Sequence, residues 1–248
     1  GIEILDPGCV AKTFPDYFAA LEQLRAPLAA RNAVTVVAID GPAGAGKSTV
    51  ARRLAAELDI PHLDTGAMYR CVAAAALRAD LDLSDESAVA ALARSIDLQI
   101  GERVILDGTD VTDEIRSPQV NRAVSTVSAV SEVRRVLVER QRRWAAELGG
   151  GVMEGRDIGT TVFPDAVLKA YLTARPDVRA QRRHDEGSPQ SLAEIAADIE
   201  RRDELDSNRA DSPLRAAPGA VVVDTSDLTL DQVVEQLADL FRTAVEGP

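Results

Sequence analysis

Residues 41–48 read Gly-Pro-Ala-Gly-Ala-Gly-Lys-Ser, a spacing of glycines, lysine and serine that suits the binding of phosphate groups. The glycines free the backbone to point successive N–H groups at one anion, and Lys47 adds a positive charge near the terminal phosphates of a nucleotide. The hydroxyl of Ser48 can coordinate Mg²⁺. The nucleotide-binding residues predicted from this loop are Gly41, Pro42, Ala43, Gly44, Ala45, Gly46, Lys47, Ser48 and Thr49, with Ser48 also as the metal ligand.

The segments on both sides of this loop support the prediction. Residues 34–39 are β-branched and almost entirely apolar, as expected of a strand buried on both faces, and residues 47–58 have helical spacing. A chance match in a turn rich in glycine and alanine is the alternative. Such a turn needs neither a buried strand before it nor a helix after it, so phosphate binding is favoured.

Arginines recur in three further segments that the same fold would bring to the loop. Arg70 follows the second predicted strand by about one helical turn, and Arg156 follows a later strand, so both belong at the edge where ligands bind. Arg202 and Asp206 are four residues apart and share a helix face that suits one sugar. Taken singly, the alternatives are a solvated Arg70, a loop ion pair between Arg156 and Asp157, and a surface ion pair between Arg202 and Asp206.

Apolar strand-like runs alternate with amphipathic helical runs from residue 34 onward. The strands are predicted near 34–39, 60–63, 151–154, 167–172 and 220–223. The helices are predicted at about 47–58, 66–79, 130–148, 176–185, 190–206 and 229–244. This alternation is typical of an α/β fold in which helices flank a parallel sheet.

Two segments interrupt the alternation. Residues 80–129 are predicted to form an inserted subdomain, with a short helix near 85–94 and a strand pair at 98–100 and 104–106. Residues 184–189 are polar and contain glycine and proline, which indicates a mobile flap; a plain turn between two helices is the alternative.

The composition excludes some classes of partner. The net charge is −12, so nucleic acid and anionic membranes would be repelled and neither is a predicted partner. All but three of the 28 basic residues are arginine, the side chain best suited to bidentate phosphate recognition.

Cys9 and Cys71 form no C-x-x-C pair, and we find no membrane-length apolar run or secretion signal, so a reduced, cytoplasmic location is expected. His62 and His184 lack metal-ligand spacing, and ordinary structural or surface roles are expected for both.

Six segments, taken in order across about residues 34–245, resemble bacterial cytidylate kinases. They read D-G-P-A-G-A-G-K-S-T, L-D-T-G-A-M-Y-R, D-V-T-D-E-I-R-S, E-G-R-D-I-G-T-T-V-F-P-D-A, R-D-E-L-D-S-N-R and V-V-V-D-T-S-D-L. The resemblance implies a P-loop nucleoside monophosphate kinase fold, with a monophosphate-binding insert at about 80–129 and a short lid at about 182–192. It also implies phosphorylation of CMP and dCMP by ATP, with Mg²⁺.

The same resemblance implies roles for matching residues. The catalytic set is Lys47, Arg156 and Arg209, and Arg182 joins the residues that bind ATP. The substrate-binding set is Thr65, Tyr69, Arg70, Ser125, Arg134, Arg156, Asp157, Arg202, Asp206 and Arg209, of which Ser125, Arg134 and Asp157 would read the cytosine edge and Arg202 and Asp206 would hold the ribose. Phosphoryl transfer needs mainly positioning and charge stabilisation, which agrees with a set rich in arginine and without a nucleophile.

The N-terminal segment resembles a different family. Residues 1–28, which contain A-K-T-F-P-D-Y-F, resemble the C-terminal tail of EPSP synthase (3-phosphoshikimate 1-carboxyvinyltransferase). Lys12 matches the lysine at the phosphoenolpyruvate site of that family. The resemblance implies an EPSP synthase-like tail at 1–33 before a kinase domain at 34–248, as would arise from covalent fusion to an EPSP synthase domain in a parent protein.

Two other functions use the same features. A kinase of this fold could act on another small acceptor, as shikimate kinase and dephospho-coenzyme A kinase do, and a panel of acceptors separates these cases. A nucleotide-binding interaction module would bind nucleotide without turnover. The joint presence of Lys47, Arg156 and Arg209 favours an enzyme over such a module.

Overall fold

The computed structural model describes residues 34–187, 190–209 and 211–246. The expectations for residues 1–33, which include the EPSP synthase-like tail with Cys9 and Lys12, lie outside the described residues.

The central sheet contains five parallel strands. They are β1 (Thr35–Asp40), β2 (His62–Asp64), β6 (Gly150–Gly155), β7 (Leu168–Thr173) and β8 (Val221–Asp224), in the spatial order β2-β6-β1-β7-β8. β1 lies at the centre because its apolar residues 36–39 are completely buried between helices on both faces. All five predicted strands are present and parallel, so the predicted α/β fold class is confirmed.

Eight α-helices surround the two sheets within the described part of the chain. They are α1 (Lys47–Leu58), α2 (Thr65–Arg78), α3 (Glu86–Ser95), α4 (Pro118–Ala129), α5 (Ser131–Leu148), α6 (Pro176–Asp185), α7 (Leu192–Ser207) and α8 (Leu230–Glu246). Side chains of Asp64, Asp85, Ser117 and Ser191 cap the starts of α2, α3, α4 and α7 by accepting backbone N–H bonds. These caps fix the starts of α2 and α7, the helices that carry Arg70 and Arg202.

Residues 80–129 contain a second, smaller sheet. Strands β3 (Leu98–Ile100), β4 (Val104–Leu106) and β5 (Thr109–Asp110) pair antiparallel, and α3 lies at the position of the predicted short helix. Helix α4 was not predicted, although Ser117 before Pro118 is a typical helix start. It packs on α2 through buried Val120, Val124 and Val127, and thereby places its serines beside the sheet edge.

Two apolar clusters hold the layers together. One joins α1 and α8 to a face of the sheet through residues such as Leu54, Leu172 and Leu237. The other joins α2, α4 and α5 to the opposite face and includes Leu137 and Met153. Helices therefore cover both faces of the sheet.

Within the described ranges, no helix combines the length and apolar character needed to cross a bilayer.

Candidate active site

The loop of residues 41–48, called the phosphate loop below, joins the carboxyl end of β1 to α1. Gly41 has a φ of 149°, and a Cβ atom there would lie 2.0 Å from the carbonyl oxygen of Leu172, so only glycine fits. Gly46 precedes α1 in a left-handed conformation with a φ of 83°, and no side chain within the described residues caps the helix. The first N–H groups of α1 therefore remain available to an anion.

Lys47 begins α1 and is buried at the base of the phosphate loop. Its Nζ donates a hydrogen bond to the Pro42 carbonyl oxygen at 2.7 Å. Burial and the nearby positive charge of Arg156 together lower the pKa of Lys47 to about 7, while Glu154 opposes this effect. A bound phosphate would place a negative counter-charge beside this ammonium group and so favour its charged form.

Oxygen atoms cluster beside Ser48. Its hydroxyl donates to Oε2 of Glu154 at 2.6 Å, and Nε2 of His62 lies 3.2 Å from Oε1 of the same carboxylate. Burial alone would raise the pKa of Glu154, but the contacts with His62 and Ser48 hold it below the ordinary value. Burial and the charge of Glu154 raise the pKa of the neighbouring Asp64. His62 is therefore partnered with a buried carboxylate beside Ser48, which agrees with the structural role expected for it.

Four arginines, called the arginine cluster, meet at the same edge: Arg70, Arg156, Arg202 and Arg209. Nε of Arg156 donates to Oδ2 of Asp206 at 2.8 Å, and Arg209 forms an ion pair with Oδ1 of that carboxylate. Burial alone would raise the pKa of Asp206, but Arg156 and Arg209 hold it below the ordinary value. Asp206 is 1% exposed, so the surface ion pair with Arg202 is not the arrangement found.

The arginine cluster carries more positive charge than Asp206 can balance. Burial lowers the pKa of Arg70 to about 10, and burial together with Arg70 and Arg156 lowers that of Arg202 to about 9. Nε of Arg202 is buried and has no hydrogen-bond partner among the described residues. Arg70 donates to Oδ1 of Asn121 at 2.7 Å and is not a solvated helix residue. Like charges held together in this way favour an anionic ligand.

A buried ion pair between Arg134 and Asp157 lies next to the arginine cluster. Both side chains are less than a tenth exposed, and the guanidinium carbon of Arg134 is 5.7 Å from the centroid of the Tyr69 ring. Burial raises the pKa of Tyr69 to about 12, so the phenol keeps its proton. The loop ion pair between Arg156 and Asp157 does not form among the described residues, because each of them has a partner from another element.

Helix α4 supplies two serines to this region. Ser125 is half-buried, and its carbonyl oxygen accepts a bond from the Ser128 hydroxyl at 3.1 Å. The Ser128 hydroxyl also accepts a hydrogen bond from Arg209 at 2.8 Å, and the Ser128 carbonyl oxygen lies 3.5 Å from Nη1 of Arg134. Ser128 thus joins the Arg134–Asp157 pair to the arginine cluster, a contact that no motif in the sequence indicates.

The remaining predicted residues take different positions. Thr65 is buried and donates its hydroxyl hydrogen to the Glu154 carbonyl oxygen at 2.6 Å, so its side chain ties the start of α2 to β6. Arg182 donates to the hydroxyl and the carbonyl oxygen of Thr225 at 2.9 and 2.6 Å, close to Gly46 of the phosphate loop. Thr49 is exposed on α1. The structure thus brings Arg182 close to the phosphate loop, whereas the Thr65 hydroxyl is already engaged by a backbone carbonyl.

Two carboxylates at this edge were not singled out from the sequence. Asp203 of α7 accepts a hydrogen bond from the Ala43 N–H at 3.2 Å and pairs with Arg179. Asp40, the last residue of β1, is 3% exposed and accepts two backbone N–H bonds at 2.8 Å, from Ile158 and Gly159. The signal for Asp40 was present, because a charged residue ends a run that is otherwise apolar.

The ionisation of Asp40 predicts a specific pH dependence of stability. Burial raises the pKa of Asp40 from 3.8 to about 6, partly offset by the bonds from Gly159 and Ile158. The folded state therefore holds this proton more tightly than the unfolded state. The resulting stabilisation is fully present below the pKa of the unfolded state, 3.8, and is lost as the pH rises through about 6. Relative to Asp40→Asn, the wild type should gain roughly 2 kcal/mol in free energy of unfolding between about pH 7.5 and pH 4. Urea titrations of both proteins at the two pH values test this, and a difference that does not change with pH contradicts it.

Comparisons with known proteins agree with this geometry. A family model described as cytidylate kinase matches residues 37–243. A cytidylate kinase from Caldanaerobacter subterraneus subsp. tengcongensis is 47% identical over 221 residues, which are 87% of this chain and 98% of that protein. A cytidylate kinase from Mycolicibacterium paratuberculosis is 51% identical over 220 residues, 85% of this chain and 96% of that protein. The crystal structure of an uncharacterized protein from Eubacterium ventriosum shares the fold, with a TM-score of 0.51, 12% identity, and coverage of 84% of this chain and 99% of that one.

The match to the family covers the site but not the N-terminal segment. It begins at residue 37, and the comparisons do not support the EPSP synthase-like tail or the predicted fusion to an EPSP synthase domain. The phosphate loop, the arginine cluster and the Arg134–Asp157 pair all lie within the matched residues. The chain is a kinase and belongs to the cytidylate kinase family.

Proposed function

We propose that the protein transfers the γ-phosphoryl group of ATP to CMP and dCMP, forming CDP and dCDP. The observation that carries this proposal is the arginine cluster, whose excess positive charge faces Lys47 and the phosphate loop across one sheet edge. Two phosphate-bearing ligands can share this edge, one on each side. The proposed location is the cytoplasm, which rests on cysteine usage alone.

ATP is proposed to bind on the side of the phosphate loop. The free N–H groups at the start of α1 and the ammonium group of Lys47 would hold its β- and γ-phosphates, and Arg182 would approach from α6. The oxygen donors of Ser48 and Glu154, with Asp64 nearby, fit Mg²⁺, which prefers oxygen ligands. When bound, the ion would neutralise charge on the phosphates.

CMP is proposed to bind on the side of the arginine cluster. Arg70, Arg156 and Arg209 would hold its phosphate, because all three are half-buried at this edge and only Arg156 and Arg209 have a carboxylate partner there, the shared Asp206, whereas Arg70 donates to the Asn121 amide oxygen. The unpartnered Nε of Arg202 supports a contact with the ligand, with Arg202 and Asp206 at the ribose. Tyr69 would help to steer the phosphate from the neighbouring turn of α2.

The base is proposed to be read by Ser125, Arg134 and Asp157. Arg134 and Asp157 are buried as a pair over Tyr69, so a base that matches them gains hydrogen bonds in a dry pocket. A base that leaves them unpaired would be rejected strongly, since buried polar groups without partners are costly. This pocket favours cytosine over an acceptor without a base, such as shikimate.

The transfer step would depend on positioning and electrostatics. Lys47, Arg156 and Arg209 are proposed to stabilise the charge that spreads over the transferring phosphoryl group. None of them needs to act as a nucleophile, because the CMP phosphate oxygen itself attacks the γ-phosphorus. We further propose that residues 80–129 form the monophosphate-binding insert, and that about 182–192 act as a short lid that excludes water.

Replacing Asp206 by asparagine should weaken the acceptor side specifically. The carboxylate holds Arg156 and Arg209 together, so its neutral analogue would loosen both guanidinium groups as well as the ribose contact. We expect KM for CMP to rise about 10- to 100-fold, kcat to fall, and the Kd of ATP measured without CMP to stay within about threefold. Steady-state kinetics and calorimetric titration with ATP measure these values, and an effect confined to ATP contradicts the placement.

The proposed reaction is tested directly by product analysis. The protein would be incubated with ATP, Mg²⁺ and either CMP, dCMP, UMP, AMP or shikimate, and the products separated by chromatography. We expect CDP and dCDP in preference to the other products. Binding of ATP without any product would favour the interaction module, and efficient shikimate phosphorylation would favour the other kinase class.

A further inference from the structure

Asp40 is a buried carboxylate to which the proposed reaction assigns no role. It closes the central strand β1 directly before Gly41, the first residue of the phosphate loop. Its two carboxylate oxygens have different partners. Oδ1 accepts a hydrogen bond from the N–H of Ile158 and Oδ2 accepts one from the N–H of Gly159, each at 2.8 Å. A carboxylate that is 3% exposed and binds two successive amides is fixed in position.

The segment that receives these bonds follows the acceptor-side residues directly. The segment that contains Arg156 and Asp157 leads into a single π-helical turn, Ile158–Val162. The first backbone N–H groups of this turn have no acceptor within the turn itself. Asp157 is not helical, with φ −147° and ψ 24°, so the turn needs an outside acceptor to fix its start. Asp40 supplies that acceptor from the neighbouring strand.

We propose that Asp40 is a positioning residue that sets the relative position of the two substrates. Asp40 directly precedes the phosphate loop in the chain. Its side chain accepts hydrogen bonds from the turn that follows Arg156 and Asp157. One side chain thereby ties the proposed ATP side to the proposed CMP side. This inference rests on the proposed function of the site.

The size of the expected effect follows from the geometry of phosphoryl transfer. Donor and acceptor must meet in line, and a misplacement of about 1 Å costs on the order of 10²-fold in rate. Loss of one Asp40 bond would also let Asp157 shift against Arg134, which weakens the reading of the base. A residue that only supports the fold would lower stability without changing the choice of base.

The test compares Asp40→Asn and Asp40→Ala with the wild type. Asn keeps one acceptor oxygen and presents an NH₂ group to the other amide, whereas Ala keeps neither acceptor. We expect kcat/KM for CMP to fall about 10- to 100-fold in Asp40→Asn and further in Asp40→Ala. The ratio of kcat/KM for CMP over UMP should fall at least about tenfold, and the Kd of ATP should stay within about threefold.

Leu237→Ala is the matched control for stability, because Leu237 is fully buried on α8 away from the site. It should lower the melting temperature but keep the CMP-to-UMP ratio. If Asp40→Ala does not fold, Asp40→Asn and Asp40→Ser, which each retain an acceptor, carry the test. A folded Asp40 variant with an unchanged CMP-to-UMP ratio overturns the inference, whereas absence of CMP turnover in the wild type overturns the proposed function instead.

Discussion

Replacing Lys47 by alanine is expected to lower kcat by on the order of 10²- to 10⁴-fold while leaving the fold intact. Lys47 is buried and bonded to a single backbone carbonyl, so its ammonium group is costly to keep in the ligand-free protein. In the proposed site, its position at the start of α1 would bring that charge to the phosphates, where it would stabilise the transition state. Steady-state kinetics with CMP and ATP measure the loss, and thermal unfolding checks that the fold remains.

The chain offers a closely matched control for this variant. Lys169 also donates from Nζ to the carbonyl oxygen of a proline five residues earlier, Pro164, at 3.0 Å. That contact is exposed and lies outside the proposed site. Lys169→Ala should therefore keep kcat within about twofold, since exposed contacts of this kind contribute little. Retention of most of the wild-type turnover in Lys47→Ala would defeat the assignment of the phosphate loop.

Replacing Asp157 by asparagine is expected to lower kcat/KM for CMP by on the order of 10²- to 10⁴-fold. The change keeps the shape of the side chain but removes the negative charge that pairs with Arg134 and that, in the proposed site, would accept hydrogen bonds from the base. Both partners are buried, so the loss is not compensated by water. Binding of ATP should change little, because Asp157 lies on the acceptor side.

An aspartate outside the site provides the comparison for Asp157. Asp227 pairs with Arg175 at 2.7 Å, and its side chain is 80% exposed. Asp227→Asn should leave kcat/KM for CMP within about twofold. If Asp157→Asn lowered ATP affinity and CMP efficiency equally, the assignment of this residue to the base would be wrong.

The sequence predicted the sheet well because its central strands, β1 and β6, are buried on both faces. Largely apolar runs such as 34–39 leave few alternatives, and all five predicted strands lie in the parallel sheet. Helix α4 was missed because serine, threonine and asparagine separate its valines, so the apolar stripe is narrow. Its start signal, Ser117 before Pro118, was sufficient to place it.

Pairing within the site could not be predicted from spacing. Arg156 and Asp157 are neighbours in the chain, yet each pairs with a residue from a helix, Asp206 and Arg134 respectively. Side chains of successive residues point apart, and the partners come together only when the sheet brings its edge against α5 and α7. The contacts of Asp40 could not be predicted from spacing either, because the two backbone amides that donate to it lie more than a hundred residues later in the chain.

The most direct test of the proposed base recognition is the ratio of kcat/KM for CMP to that for AMP, with ATP and Mg²⁺ held constant. If Ser125, Arg134 and Asp157 read the base, the unmodified protein should prefer CMP by at least about 10²-fold. The ratio should fall sharply in Asp157→Asn and stay high in Asp227→Asn. Comparable values for CMP and AMP in the unmodified protein would contradict the account.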